Sequence, residues 1–208
     1  MLQRFLRYAA LSTALFYNAC TPPEEDLESS CQGEVLFEDE FDGEELDERK
    51  WENNCTNSNE YNLQKGILEM RTENACILQS RSTYTLDDRT LCFEARWKVR
   101  EREGTAFFVG LSDAPSSAYN LLENKSLFCG NSYKGDVEEN SCDTDVENWQ
   151  QTRIEMTPEG INYYLNGELN LTLSNRFNIN QRFIVDVSCE SDDKSEKNCY
   201  LDKVRIVR

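Results

Sequence analysis

The chain carries nine cysteines and no histidine, and that combination limits the chemistry open to it. Without imidazole there is no Ser-His-Asp or Cys-His nucleophile, no histidine-ligated zinc and no histidine pH switch. No two cysteines are spaced as Cys-x-x-Cys, so a thiolate zinc site is disfavoured too. Oxidation in pairs remains. Cys31, Cys55, Cys76, Cys92, Cys129, Cys142, Cys189 and Cys199 form an even set, suited to four disulfides in an oxidising compartment. Their connectivity does not follow from spacing alone. Two local pairs are expected: Cys189 with Cys199, which flank a polar loop between strand-like stretches, and Cys129 with Cys142.

The side chains suited to binding lie in two places. Glu94, Arg96 and Lys98 alternate along one stretch and so share one face of a strand, while Tyr119 and Tyr133 fall in a polar region. Rings that stack on sugars and polar groups that hydrogen-bond to them make these five the candidate ligand contacts. Glu94, Arg96 and Lys98 suit a solvated, mutually paired ladder equally well. Trp97 and Trp149 each belong to a strand pattern, which favours core positions for both. No pattern places Trp51.

Acids outnumber bases, 39 to 22, for a formal net charge of -17. Such a chain repels phosphate backbones, so nucleic acid is excluded as a partner. It repels anionic polysaccharide as well unless a cation mediates. Carboxylates in such number also suit calcium, a hard cation that takes oxygen ligands.

The elements that must position these groups are strands. Leu91, Phe93, Ala95, Trp97 and Val99 alternate with Cys92, Glu94, Arg96 and Lys98, the pattern of a half-buried strand. Residues 105–111 are continuously apolar, which suits a strand covered on both faces. Residues 152–156 and 160–165 alternate again, and Asn166-Gly167 marks a tight hairpin after them. Residues 182–188 and 199–207 complete the series. The stretch 112–148 reads as an irregular polar loop or binding rim. No helical repeat is present, so the fold is all-β: a disulfide-rich, antiparallel two-sheet β-sandwich.

The first twenty residues set the compartment. Arg4 and Arg7 precede a short apolar run, Tyr8 to Phe16, as in a secretory signal peptide. Residues 1–19 are read as that signal, 20–30 as an acidic, Pro-containing tether and 31–208 as the domain. Ala19 directly before Cys20 resembles a bacterial lipoprotein cleavage site, although Tyr17 stands where such sites prefer Leu. Lipidation of Cys20 places the protein in the cell envelope, membrane-anchored and facing the periplasm or the outside. If Cys20 is discarded with the signal, the protein is secreted.

The order of several segments carries a family resemblance. LFEDEFDGEELDERKW (36–51), GILEMR (66–71), LCFEARWKV (91–99), GTAFFVGLSD (104–113), WQQTRIEMTPEGINYYLNGEL (149–169) and YLDKVRIV (200–207) together resemble concanavalin A-like lectin/glucanase domains. The nearest likeness is to family 16 glycoside hydrolases or laminin G-like modules. The resemblance implies a jelly roll with a glycan-binding face. It also implies a structural calcium, held here by the carbonyls of Glu40 and Gly66 and the side chain of Asp202. Catalytic members carry Glu-x-Asp-x-x-Glu on one strand, pointing a nucleophile and a general acid/base into one cleft. Where the family places it, in the stretch after Asp113, this chain lacks that motif. In that stretch Asp136, Glu138 and Glu139 are acidic, at a different spacing. The expected function is therefore a membrane-anchored module that binds carbohydrate or another cell-surface ligand without hydrolysing it. The alternatives are a divergent glycoside hydrolase and an envelope structural or protein-interaction lipoprotein.

Overall fold

The computed structural model describes residues 31–55, 61–87, 89–113, 116–123, 125–142, 144–178 and 180–208. The signal sequence, Cys20 and the tether lie outside these residues.

Sixteen strands and no helix occupy the described chain: β1 (Val35–Asp39), β2 (Trp51–Asn53), β3 (Tyr61–Gln64), β4 (Ile67–Thr72), β5 (Ala75–Ser80), β6 (Tyr84–Thr85), β7 (Leu91–Val99), β8 (Thr105–Asp113), β9 (Ser116–Glu123), β10 (Ser126–Tyr133), β11 (Asp136–Cys142), β12 (Gln150–Met156), β13 (Gly160–Leu165), β14 (Glu168–Ser174), β15 (Arg182–Ser191) and β16 (Lys197–Val207). They form two antiparallel sheets. The first runs β14-β13-β12-β7-β16-β4-β3, with β1 also on β16. The second runs β11-β10-β9-β8-β15-β5-β2, with β6 on β15.

Period-two alternation explains how the sheets stack. Leu91, Phe93, Ala95, Trp97 and Val99 of β7 face Phe107, Val109 and Leu111 of β8 and Phe183, Val185 and Val187 of β15 across one shared core. The Trp97 and Phe107 rings meet at 5.0 Å, joining the layers. Trp51 is almost fully buried. Its indole N–H donates to the Asp39 carboxylate at 2.7 Å, and that carboxylate also accepts the Phe41 N–H at 3.0 Å. Asn166 and Gly167 both take positive φ, 52° and 83°, and turn β13 into β14 as expected.

Four disulfides are present: Cys31–Cys92, Cys55–Cys76, Cys129–Cys142 and Cys189–Cys199. Both expected local pairs are among them. Cys189 lies on β15 and Cys199 on β16, so that bond ties one sheet to the other.

The structure departs from the sequence pattern in two places. The stretch 112–148 is not a loop: it supplies the end of β8 and all of β9, β10 and β11. Its inward positions include Ser116, Asn120 and Asn131, all buried, so polar residues stand where an apolar alternation would have marked strands. Nor is β8 covered on both faces. Thr105, Phe107, Val109 and Leu111 are buried, while Ala106, Phe108 and Ser112 face an open groove and remain partly exposed.

Candidate functional site

The groove lies on the outer face of the second sheet, and strand register builds it in rows. One row crosses β5, β15, β8, β9 and β10 as Ile77, Ser188, Phe108, Leu121 and Phe128. The next runs Gln79, Asp186, Gly110, Tyr119, Gly130 and Glu139, reaching β11. An apolar stripe therefore runs across the strands, with a polar row alongside it. Two hollows of about 390 and 600 Å³ meet over Phe108, Gln79 and Asp186.

Glycine is required on either side of Tyr119. A Cβ at Gly110 would lie 2.3 Å from the Ala118 carbonyl oxygen, and one at Gly130 2.4 Å from that of Glu138. The Tyr119 hydroxyl donates to Glu139 Oε2 at 3.1 Å, and its ring packs 5.4 Å from Phe108. Burial, and then the neighbouring carboxylate of Glu139, keep that hydroxyl protonated.

Asp186 is the central polar group. Ser112 Oγ donates to its Oδ2 at 3.0 Å and Gln79 Nε2 at 3.3 Å. Burial pushes its carboxyl above the usual aspartate value, and the two hydrogen bonds only partly offset this. The folded state then holds more protons than the unfolded between pH 3.8 and the raised value, so stability falls as pH climbs through that window. Asp186→Asn therefore raises the melting temperature by a few degrees at neutral pH. The gain shrinks on acidification and is gone below the ordinary aspartate value. Thermal melts across that range check it; a gain independent of pH would contradict the assignment.

Of the five expected ligand contacts, only Tyr119 lies on this face. Glu94, Arg96 and Lys98 belong to β7, in the other sheet, and point away from the groove. Glu94 accepts the Cys31 N–H at 3.1 Å, Arg96 pairs with Asp202 at 3.0 Å, and the Lys98 ammonium sits about 5 Å from both the Trp149 and Tyr200 rings. These partners are other groups rather than one another, and Glu94 is buried rather than solvated. Trp149 is half-buried on that outer face with Arg96 and Lys98 over its ring, not in the core as expected. Tyr133 turns inward against Phe177, with ring centres 5.9 Å apart. The groove residues missed in the sequence are Phe108, hidden in an apolar run, and Asp186, whose outward position in RFIVDVS alternates with Phe183, Val185 and Val187.

The residues present do not fit the implied calcium. The Glu40 carbonyl does approach Gly66, within 3.4 Å of where a Cβ would stand. However, a β-bulge between Leu201 and Lys203 takes Asp202 off the core face that carries Val204 and Ile206. Its carboxylate already meets the Arg96 guanidinium, and Lys203 occupies the Glu38 and Glu40 carboxylates.

Asp136, Glu138 and Glu139 supply no converging set of free carboxylates in the groove either. Along β9 the outward side chains are Ser117, Tyr119, Leu121 and Glu123, which supply a single carboxylate. Asp136 and Glu138 lie at Arg176, and Glu139 is engaged by Tyr119.

No family model matches the chain, and no curated protein matches it in sequence. Solved structures do match in fold. LamA from Zobellia galactanivorans, in complex with laminaritriose and laminaritetraose, superimposes with a TM-score of 0.70 at 14% identity, over 86% of this chain and 100% of that one. The catalytic domain of an endo-1,3-β-glucanase (laminarinase) from Thermotoga petrophila gives 0.69 at 10% identity, over 85% and 98%. The Bacillus licheniformis β-glucanase gives 0.68 at 13% identity, over 85% and 99%. The two-sheet antiparallel β-sandwich is thus a fold shared with these proteins.

Proposed function

We propose that the protein is a carbohydrate-binding module of the cell envelope that holds a glycan in the groove without cleaving it. One observation carries the reading: an apolar stripe of Phe108, Leu121 and Phe128 lies open on a sheet face beside the hydrogen-bonding row of Gln79, Asp186 and Tyr119. Sugar rings present an apolar face and an equatorial rim of hydroxyls, and this layout complements both. Non-cleavage is inferred from β9, where Tyr119 and Leu121 flank the outward path to Glu123 and leave no alternating carboxylates for acid/base work. The fold's glycan-bound relative supports the class of ligand. Anchoring through Cys20 is inferred from the sequence.

A divergent hydrolase is the second reading. It is favoured by the raised carboxyl of Asp186 in the same hollow as Glu123 and Glu190, since a general acid needs such a shift.

The test of binding is Phe108→Ala in the oxidised full-length protein, titrated calorimetrically with oligosaccharides. Loss of the stacking ring is expected to weaken binding at least tenfold, about 1.4 kcal/mol, with an unchanged melting profile. Unaltered affinity would remove the groove as the site.

A further inference from the structure

We propose that the groove selects a glycan bearing free amino groups, a protonated hexosamine, over neutral or uronate sugars. This rests on the groove being the carbohydrate site described above. The smaller hollow is lined by three carboxylates, Glu123, Asp186 and Glu190, and by no basic side chain. Glu190 faces Ala106 across the β15–β8 ladder. Glu123, one residue beyond the Leu122–Phe107 pair, faces Ala106 from the other side. Their backbones are thus about two strand spacings apart, roughly 10 Å. The alanine methyl between them is small, and all three residues line the same hollow. The adjacent row holds Phe108 and Leu121, an apolar floor for the sugar ring itself.

The bases at this end of the sheet are committed elsewhere. Lys125 meets Glu103 at 2.7 Å, and Lys197 meets Asp193 at 3.1 Å and the Glu103 carbonyl at 2.8 Å. Among the described residues no salt bridge engages Glu123, Asp186 or Glu190. An ammonium carries three donors and no acceptor, which matches carboxylates that only accept. The Phe108 ring face adds attraction for a cation beside it. In this hollow a uronate meets three carboxylates and is disfavoured; the groove's one lining base among the described residues, Arg182, belongs to the adjoining hollow.

The experiment uses the oxidised full-length protein with matched tetramers of glucose, glucosamine, N-acetylglucosamine and glucuronate, titrated calorimetrically at neutral pH. The glucosamine tetramer is expected to bind at least tenfold tighter than its N-acetylated counterpart, and the glucuronate tetramer not measurably. Glu123→Gln and Glu190→Gln each reduce that preference several-fold, as does high salt. Glu168→Gln on the far sheet leaves it unchanged. Equal or tighter binding of the neutral tetramers, or a preference indifferent to both groove substitutions, overturns the amino-sugar assignment while the carbohydrate function stands. Binding of none of the four overturns both.

Discussion

Trp97→Ala is expected to lower the free energy of unfolding by about 3–5 kcal/mol, the cost of emptying a large aromatic site in a close-packed core. Trp97 is fully buried on β7, and its ring spans the two layers to Phe107 of β8 at 5.0 Å. Its indole N–H donates to Thr152 Oγ1 at 2.8 Å, and Thr152 is itself buried. The alanine variant therefore removes inter-sheet packing and leaves a hydroxyl without its partner. Trp97→Phe keeps most of the volume and loses only the hydrogen bond, so it falls between wild type and alanine. Urea unfolding followed by fluorescence and circular dichroism orders the three. A midpoint for the alanine variant equal to that of wild type would place the ring outside the core.

The second large effect concerns Cys31–Cys92. The bond closes a loop of sequence separation 61, the longest of the four. In the chain-entropy account its removal costs about 4 kcal/mol, against roughly 3 kcal/mol for the separation of 10 at Cys189–Cys199. The native state holds this segment by other contacts as well: the Glu34 and Arg208 backbones exchange two hydrogen bonds, and Glu94 accepts the Cys31 N–H. The paired variant Cys31→Ala/Cys92→Ala is therefore expected to fold, with its unfolding midpoint lowered more than that of Cys189→Ala/Cys199→Ala at equal burial. The latter leaves a void between the sheets, because both of its cysteines are fully buried. That void adds a packing loss the loop model omits. Calorimetric melts of both variants and their double combination separate the two contributions. A Cys31/Cys92 variant as stable as wild type would show that constraint of the unfolded chain does little here.

The fold was legible wherever side-chain chemistry and sheet side agreed. The alternation of residues 91–99 matched the structure because its inward face is apolar and its outward face mostly polar, and the Asn166-Gly167 turn matched because both residues tolerate positive φ. The strands β9 to β11 were illegible because Asn120 and Asn131 point inward and Phe128 and Leu121 outward, reversing the code. A one-residue bulge was enough to move Asp202 from the face its spacing assigned. The groove was harder still. Gln79, Asp186, Phe108 and Tyr119 come from four strands far apart in the chain and become neighbours only through register. Tyr119 and Tyr133 were both expected as aromatic residues in a polar stretch, but only Tyr119 lies on the groove face. Phe108 was not, because a phenylalanine inside an apolar run looks like core.

The most direct test of the account is to measure binding and cleavage in one sample. The oxidised full-length protein is titrated with a panel of neutral and amino-sugar oligosaccharides, and the same mixtures are assayed for new reducing ends after prolonged incubation. Saturable binding that Phe108→Ala removes, with oligosaccharide recovered at its original length, is the result predicted here. Shortened products that disappear in Asp186→Asn or Glu123→Gln would contradict it, and would make the groove a glycosidase active site with carboxylates drawn from separate strands.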